Sequence, residues 1–176
     1  MGDDKTRDAV PNVRAPLATA RISLDELDKL RAATRGPLPT PAVLASLLGR
    51  PYDSDDAVLV TGNFGLRRRK LPRGGHDAVG RQAGICLRLD DNGVIVAITL
   101  SGDVDEGFSS WHAPLEAGLN MASRPADVRK ALGAPTATGI HDGATEERYV
   151  RDGVVTGFVY VDDDFIRQVR LRRVEP

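Results

Sequence analysis

Few residues in this chain have chemistry to offer. Three histidines, His76, His112 and His141, lie 36 and 29 residues apart with no His, Cys or Asp partner at metal-ligand spacing. Zinc signatures are tight, so these read as surface or turn histidines. Cys86 and a distant histidine could be drawn as nucleophile and base. Its place between Ile85 and Leu87, however, offers no helix N-terminus and no obvious local cation to make a thiolate, and a structural thiol is expected. Asp90-Asp91-Asn92 and Asp162-Asp163-Asp164 lack the alternating ligand positions of a calcium loop. Asp bonds its own backbone, so both should be hairpin turns. Gly62, Gly65, Gly74 and Gly75 have no strand-glycine-helix order around them and read as loop residues. No catalytic residue, metal ligand or cofactor is expected.

The densest charge run is Arg67-Arg68-Arg69-Lys70, with Arg73 beyond. It reads as a solvated loop, with contact to an acidic protein partner as its functional alternative. Nucleic-acid binding would want interleaved aromatics for stacking, and only Phe64 lies nearby, so nucleic acid is not the expected partner.

The 176 residues are 41% hydrophobic, 28% charged and 5% aromatic, which excludes disorder throughout, a membrane span and a collagen-like repeat. With 24 Lys+Arg against 25 Asp+Glu, the net charge of -1 argues against wholesale coating of nucleic acid or of an anionic membrane. A single cysteine allows no intrachain disulfide. The polar, acid-bearing N-terminus is unlike a secretory signal, so a cytoplasmic location is expected.

These residues must be positioned by a small set of elements. Residues 1–20 read as a flexible arm. A helix is predicted over 23–34, with Ser23 and Glu26 as a capping box and Gly36-Pro37 as its stop. A second is predicted over 41–48, from the Thr40 cap and Pro41 to Gly49, and a third over 125–132, ending at Gly133. Pro41 to Pro51 aligns with Pro125 to Pro135 at an offset of 84 (133 − 49), and the hairpins that follow, 84–100 and 157–171, align at 72 (161 − 89). The predicted class is α+β, in two tandem helix-plus-antiparallel-meander repeats with helices on one face of the sheet. The repeats span 21–104 and 105–176, and the first holds about a dozen extra residues between helix and hairpin.

Helix-Gly-x-Pro units followed by a meander, repeated in tandem, resemble the fold of β-lactamase inhibitor proteins and of small outer-membrane assembly lipoproteins. The stretch from Ala113 to Pro135, continuing to Ile166-Arg-Gln-Val-Arg-Leu171, is similar to bacterial immunity proteins encoded beside secreted antibacterial toxins. The likeness spans 107–174 closely and 40–100 loosely. With no lipidated cysteine and no disulfide, the cytoplasmic immunity relatives fit best. The resemblance implies a non-enzymatic protein that binds and occludes a co-encoded toxin domain.

Strand alternation then suggests the contact face. It puts Ile85, Leu87, Leu89, Val96, Ile98 and Leu100 against the helices, and the repeat alignment adds Val159, Val161, Val169 and Leu171. The opposite face would carry Arg88, Phe158, Tyr160, Gln168, Arg170 and Arg172, with Arg67, Arg68 and Arg69 as the next candidates for a partner contact. Two other readings stay open: a small ligand-binding or enzymatic domain, and a nucleic-acid adaptor using the arginine-rich loop with Arg167, Arg170, Arg172 and Arg173.

Overall fold

Thr40 caps the first described helix: its Oγ1 accepts a bond from the Val43 N–H at 3.4 Å, while Pro41 supplies a pre-set φ in the first turn. The computed structural model describes residues 38–72, 74–102, 107–141, 143–162 and 164–174. The predicted arm at 1–20 and helix at 23–34 lie outside them. Helix α1 spans Pro41–Ala45, shorter than the 41–48 predicted. Beyond Ala45 the chain tightens into i→i+3 turns, Leu47 N–H to Leu44 O and Leu48 N–H to Ala45 O, before Gly49 N–H donates to Ile95 O at 2.7 Å. Helix α2, Asp55–Thr61, was not expected, although Ser54 caps it through its side chain and Asp55 and Asp56 complement its dipole. Helix α3, Pro125–Leu132, falls where the pattern placed it.

Eight strands follow: β1 Arg67–Lys70, β2 His76–Gly80, β3 Ile85–Leu89, β4 Ile95–Ser101, β5 Ala137–His141, β6 Ala144–Arg151, β7 Val154–Val161 and β8 Ile166–Arg173. They form one antiparallel sheet in the order β1-β2-β3-β4-β8-β7-β6-β5, so two four-stranded meanders join along β4 and β8. The class is α+β, as predicted. Three expectations need correction. Arg67–Lys70 is an edge strand paired with β2, Arg67 opposite Val79 and Lys70 opposite His76, and not a loop, and β5 adds a fourth strand to the second meander. Val96 is 42% exposed, whereas Ile95 is fully buried, because a bulge opposite Arg88/Leu89 shifts the alternation by one residue.

The turns behave as their acids foretold. Asp90 Oδ1 accepts from both Asn92 N–H and Val94 N–H, and the Asp152-Gly153 turn has positive φ at both residues. Gly133 takes positive φ where α3 ends, and Gly49 takes it beyond the i→i+3 turns that follow α1. Gly133 does not take the left-handed conformation common at helix ends: at φ 87, ψ -162 it occupies an extended mirror region that is essentially glycine's alone.

One core joins Leu44, Leu47, Leu48, Val128 and Leu132 from the helical segments to Ile85, Leu87, Ile98, Leu100, Val169 and Leu171 from the sheet. Trp111 completes it, edge-on to Phe64 with centroids 6.1 Å apart. The packed helices therefore lie on one face of the sheet.

Candidate partner-binding face

Cross-strand register fixes which residues share the other face. Asp77 pairs with Arg69 and Arg88, Cys86 with Thr99, Thr99 with Arg170, Ala97 with Arg172, and Val159 with Gln168 and Glu146. Arg88, Gln168, Arg170 and Arg172 thus share the face away from the core, and Arg67 and Arg69, expected in a loop, join them there because β1 is a strand. Phe158 and Tyr160 do not. They pair with Val169 and Ile166 on the core face, where they are 1% and 0% exposed, so neither can meet a partner. Arg68 also alternates away from Arg67 and Arg69, and its guanidinium lies over the Tyr52 ring, 5.6 Å from the centroid. Val159, assigned to the core, instead lies among the arginines, and Val161 shares its face by alternation.

The physical reason is a one-residue slip. Residues 158–161 are Phe-Val-Tyr-Val, apolar throughout, so alternation alone cannot tell in from out. Register resolves it: Leu87 pairs with Ile98 as Phe158 pairs with Val169, and both hairpins carry a bulge, at Arg88/Leu89 and at Val159/Tyr160. These pairings lie 71 residues apart (158 − 87, 169 − 98), one less than the 72 of the sequence alignment.

Two buried carboxylates anchor the arginines, and neither was foreseen. Asp77, 2% exposed, accepts from Arg88 Nε at 2.6 Å and from Arg69 Nη2 at 3.1 Å. Glu146, 6% exposed, accepts from Arg148 Nε at 2.8 Å and has Arg170 Nη1 at 3.9 Å. Glu146 reaches across β7 only because residue 157 is glycine: a Cβ there would stand 2.5 Å from Glu146 Oε1. Each acid is shielded by guanidiniums that stay partly in water, as long cationic side chains do when their stems cover a surface. Arg170 also donates to Gln168 Oε1 at 2.9 Å through Nη2. The sequence offered no signal for either acid: Asp77 lies opposite Arg69 and Arg88, and Glu146 opposite Val159 and Gly139, and both sets of neighbours follow only from the register.

Cys86 sits half-buried on this face, opposite Val79 and Thr99. Burial, reinforced by the Asp77 charge and opposed by Arg69 and Arg88, pushes its thiol up to about 11. A thiol in that state is a poor nucleophile at neutral pH. On the core face a third acid, Glu147, is fully buried beneath α3, where Arg129 Nε donates to it at 2.6 Å and Tyr149 Oη at 3.1 Å. Burial and the Glu147 charge push the Tyr149 hydroxyl up to about 12. Tyr160 is raised by the same causes, and its buried hydroxyl has no hydrogen-bond partner among the described residues. Among the described residues no group of three or more His, Cys, Asp or Glu could hold a metal ion, and no helix is long and apolar enough to cross a membrane.

No family model matches the chain. No curated protein matches it. Among solved structures it is similar to a DUF4309 family protein (YjgB) from Bacillus subtilis subsp. subtilis str. 168, at 16% identity, TM-score 0.43, over 65% of this chain and 76% of that one. It is also similar to a cysteine-rich secretory protein (SAV1118) from Staphylococcus aureus subsp. aureus Mu50, at 12% identity, TM-score 0.45, over 79% of this chain. The chain spans 48% of the latter's length. Likeness at this level does not say what the chain binds.

Proposed function

We propose that this chain is a stoichiometric, non-enzymatic binding protein of the cytoplasm that lays its arginine-bearing sheet face on an acidic surface of a protein partner and occludes it. The partner class is the one the immunity-protein resemblance implies, a toxin domain. The observation that carries this reading is the placement of Arg88, Arg170 and Arg172, all exposed, on the face opposite the helices, with two of them tied to buried acids. From Asp77 on β2 to Glu146 on β6 is five strand spacings, or about 24 Å. The whole face is about 34 Å by about 17 Å, of order 600 Å², which approaches the ~800 Å² per partner of a stable interface. Arginines pre-set by carboxylates lose less side-chain entropy on docking than free ones.

The two-copy architecture belongs to the same proposal. Supporting it are the shared offset of 71, the matching bulges, and the pairing of β4 with β8 about Thr99 and Arg170, which are themselves 71 apart. From Gly49 to β1 is 18 residues and from Gly133 to β5 is 4, and α2 fills the excess.

The test is protection in cells. A host expressing a cognate toxin should survive when the wild-type chain is co-expressed, and should die with an Arg88→Glu/Arg170→Glu variant of unchanged secondary structure. Protection that outlasts loss of binding would overturn occlusion in favour of an enzymatic antidote.

A further inference from the structure

Where the docking face meets the β1 edge, the sheet carries a cleft. It lies between the short 3-10 turn Gly62–Phe64, edge strand β1 and the 3-10 turn Arg81–Ala83, and measures about 490 Å³. That is within the ~300–1,000 Å³ of small-molecule sites. Phe64 and Val79, both buried, give it an apolar floor. Among the described residues its lining includes Arg67, Arg69 and Arg81 and no acid. Arg67 pairs across the strands with Val79, so Arg67 and Arg69 share the face on which Val79 lies. Two of these arginines are held from outside the lining: Arg69 by Asp77 at 3.1 Å, and Arg81 with its guanidinium 5.8 Å from the Phe108 ring centroid. Asp77 is shared with Arg88, so a single carboxylate faces two guanidiniums and leaves a net positive charge.

Arginine is suited to flat, forked contact with phosphate or carboxylate oxygens. Residues two apart on a strand stand about 6.6 Å apart, more than one carboxylate spans and within the length of a di- or triphosphate. We propose that this cleft binds a small ligand bearing a polyphosphate chain, whose oxygens are met by Arg67, Arg69 and Arg81 above the Phe64 and Val79 floor. The site is independent of the partner-binding face in what it recognises, although Arg67 and Arg69 belong to both.

The experiment is a calorimetric titration of the full-length protein with inorganic tripolyphosphate and, separately, ATP. It is repeated on Arg67→Gln, Arg81→Gln and, as a charge-matched control on α3, Lys130→Gln. Fluorescence of the single tryptophan, Trp111, checks that each variant is folded. Saturable one-to-one binding is expected, weakened roughly tenfold or more by either arginine change and unaltered by Lys130→Gln. Tighter binding of ATP than of tripolyphosphate identifies a nucleoside phosphate resting on the apolar floor, while equal binding identifies the polyphosphate alone. No saturable binding, or equal weakening by Lys130→Gln, overturns the site. So does tighter, steeply salt-dependent binding of a single-stranded oligonucleotide, which would make the arginines a nucleic-acid contact.

Discussion

Truncating Arg88 should cost more than truncating the acid it holds. Asp77 is 2% exposed, while the side chains of Arg88 and Arg69 are 54% and 60% exposed. A hydrogen bond to a charged group contributes about 1.5–3 kcal/mol, and exposure of the cationic partner discounts that toward the lower end. Arg88→Gln should therefore cost about 2 kcal/mol, because the buried carboxylate keeps only Arg69. Replacing both arginines by Gln strands the carboxylate and should cost about 3–5 kcal/mol. Asp77→Ala leaves two arginines that water can solvate, at a cost of about 1 kcal/mol. In the double-glutamine background, Asp77→Ala should restore about 1–3 kcal/mol, since the orphaned charge is gone. Urea unfolding followed by Trp111 fluorescence gives all four corners of this cycle. If Asp77→Ala proves the costliest change, or fails to rescue the double-glutamine variant, the carboxylate is not the buried anchor described above.

Other outcomes follow from the same geometry. Tyr160→Phe should be neutral or stabilising by up to about 1 kcal/mol, because it removes a buried hydroxyl without a partner, while Tyr160→Ala should cost about 3–5 kcal/mol; chemical denaturation separates them. Gly133→Ala should cost about 1–3 kcal/mol from backbone strain alone, since a Cβ there meets nothing within 4 Å, and a melting temperature equal to wild type would contradict this. With its thiol pushed up to about 11, Cys86 should react slowly with an aromatic disulfide reagent at pH 8 and faster as pH rises, whereas the urea-unfolded chain should react promptly. Tyr149 is raised in the fold to about 12 from the 10 of a free tyrosine, so its stabilisation is complete below pH 10 and is lost as pH rises toward 12. Alkaline unfolding should therefore be blunted in Tyr149→Phe.

Much of the scaffold was legible because local chemistry decided it. Thr40-Pro41 and the Gly133 stop marked helices, and the Asp90-Asn92 and Asp152-Gly153 turns set hairpins. Strands β1 and β2 were missed because four consecutive basic residues and a glycine-flanked HDAVG carry no apolar alternation, and only sheet pairing makes them extended. The face of β7 was misread where Phe158-Val-Tyr-Val161 is apolar at every position, and the bulge that settles it is a tertiary feature. The arginines of the site could be found from their alternation along β3 and β8. Asp77 and Glu146 could not, because a buried acid is recognisable only once its cross-strand neighbours are known.

The central claim is that the arginine-bearing face is the docking surface, and a binding isotherm tests it most directly. Wild type, Arg170→Glu and Lys130→Glu are titrated against a cognate toxin domain, Lys130 lying exposed on α3 across the sheet. Arg170→Glu should weaken binding by roughly 1–3 kcal/mol and Lys130→Glu should leave it unchanged. Equal affinities for wild type and Arg170→Glu, or a larger loss from Lys130→Glu, would place the interface elsewhere and contradict the account.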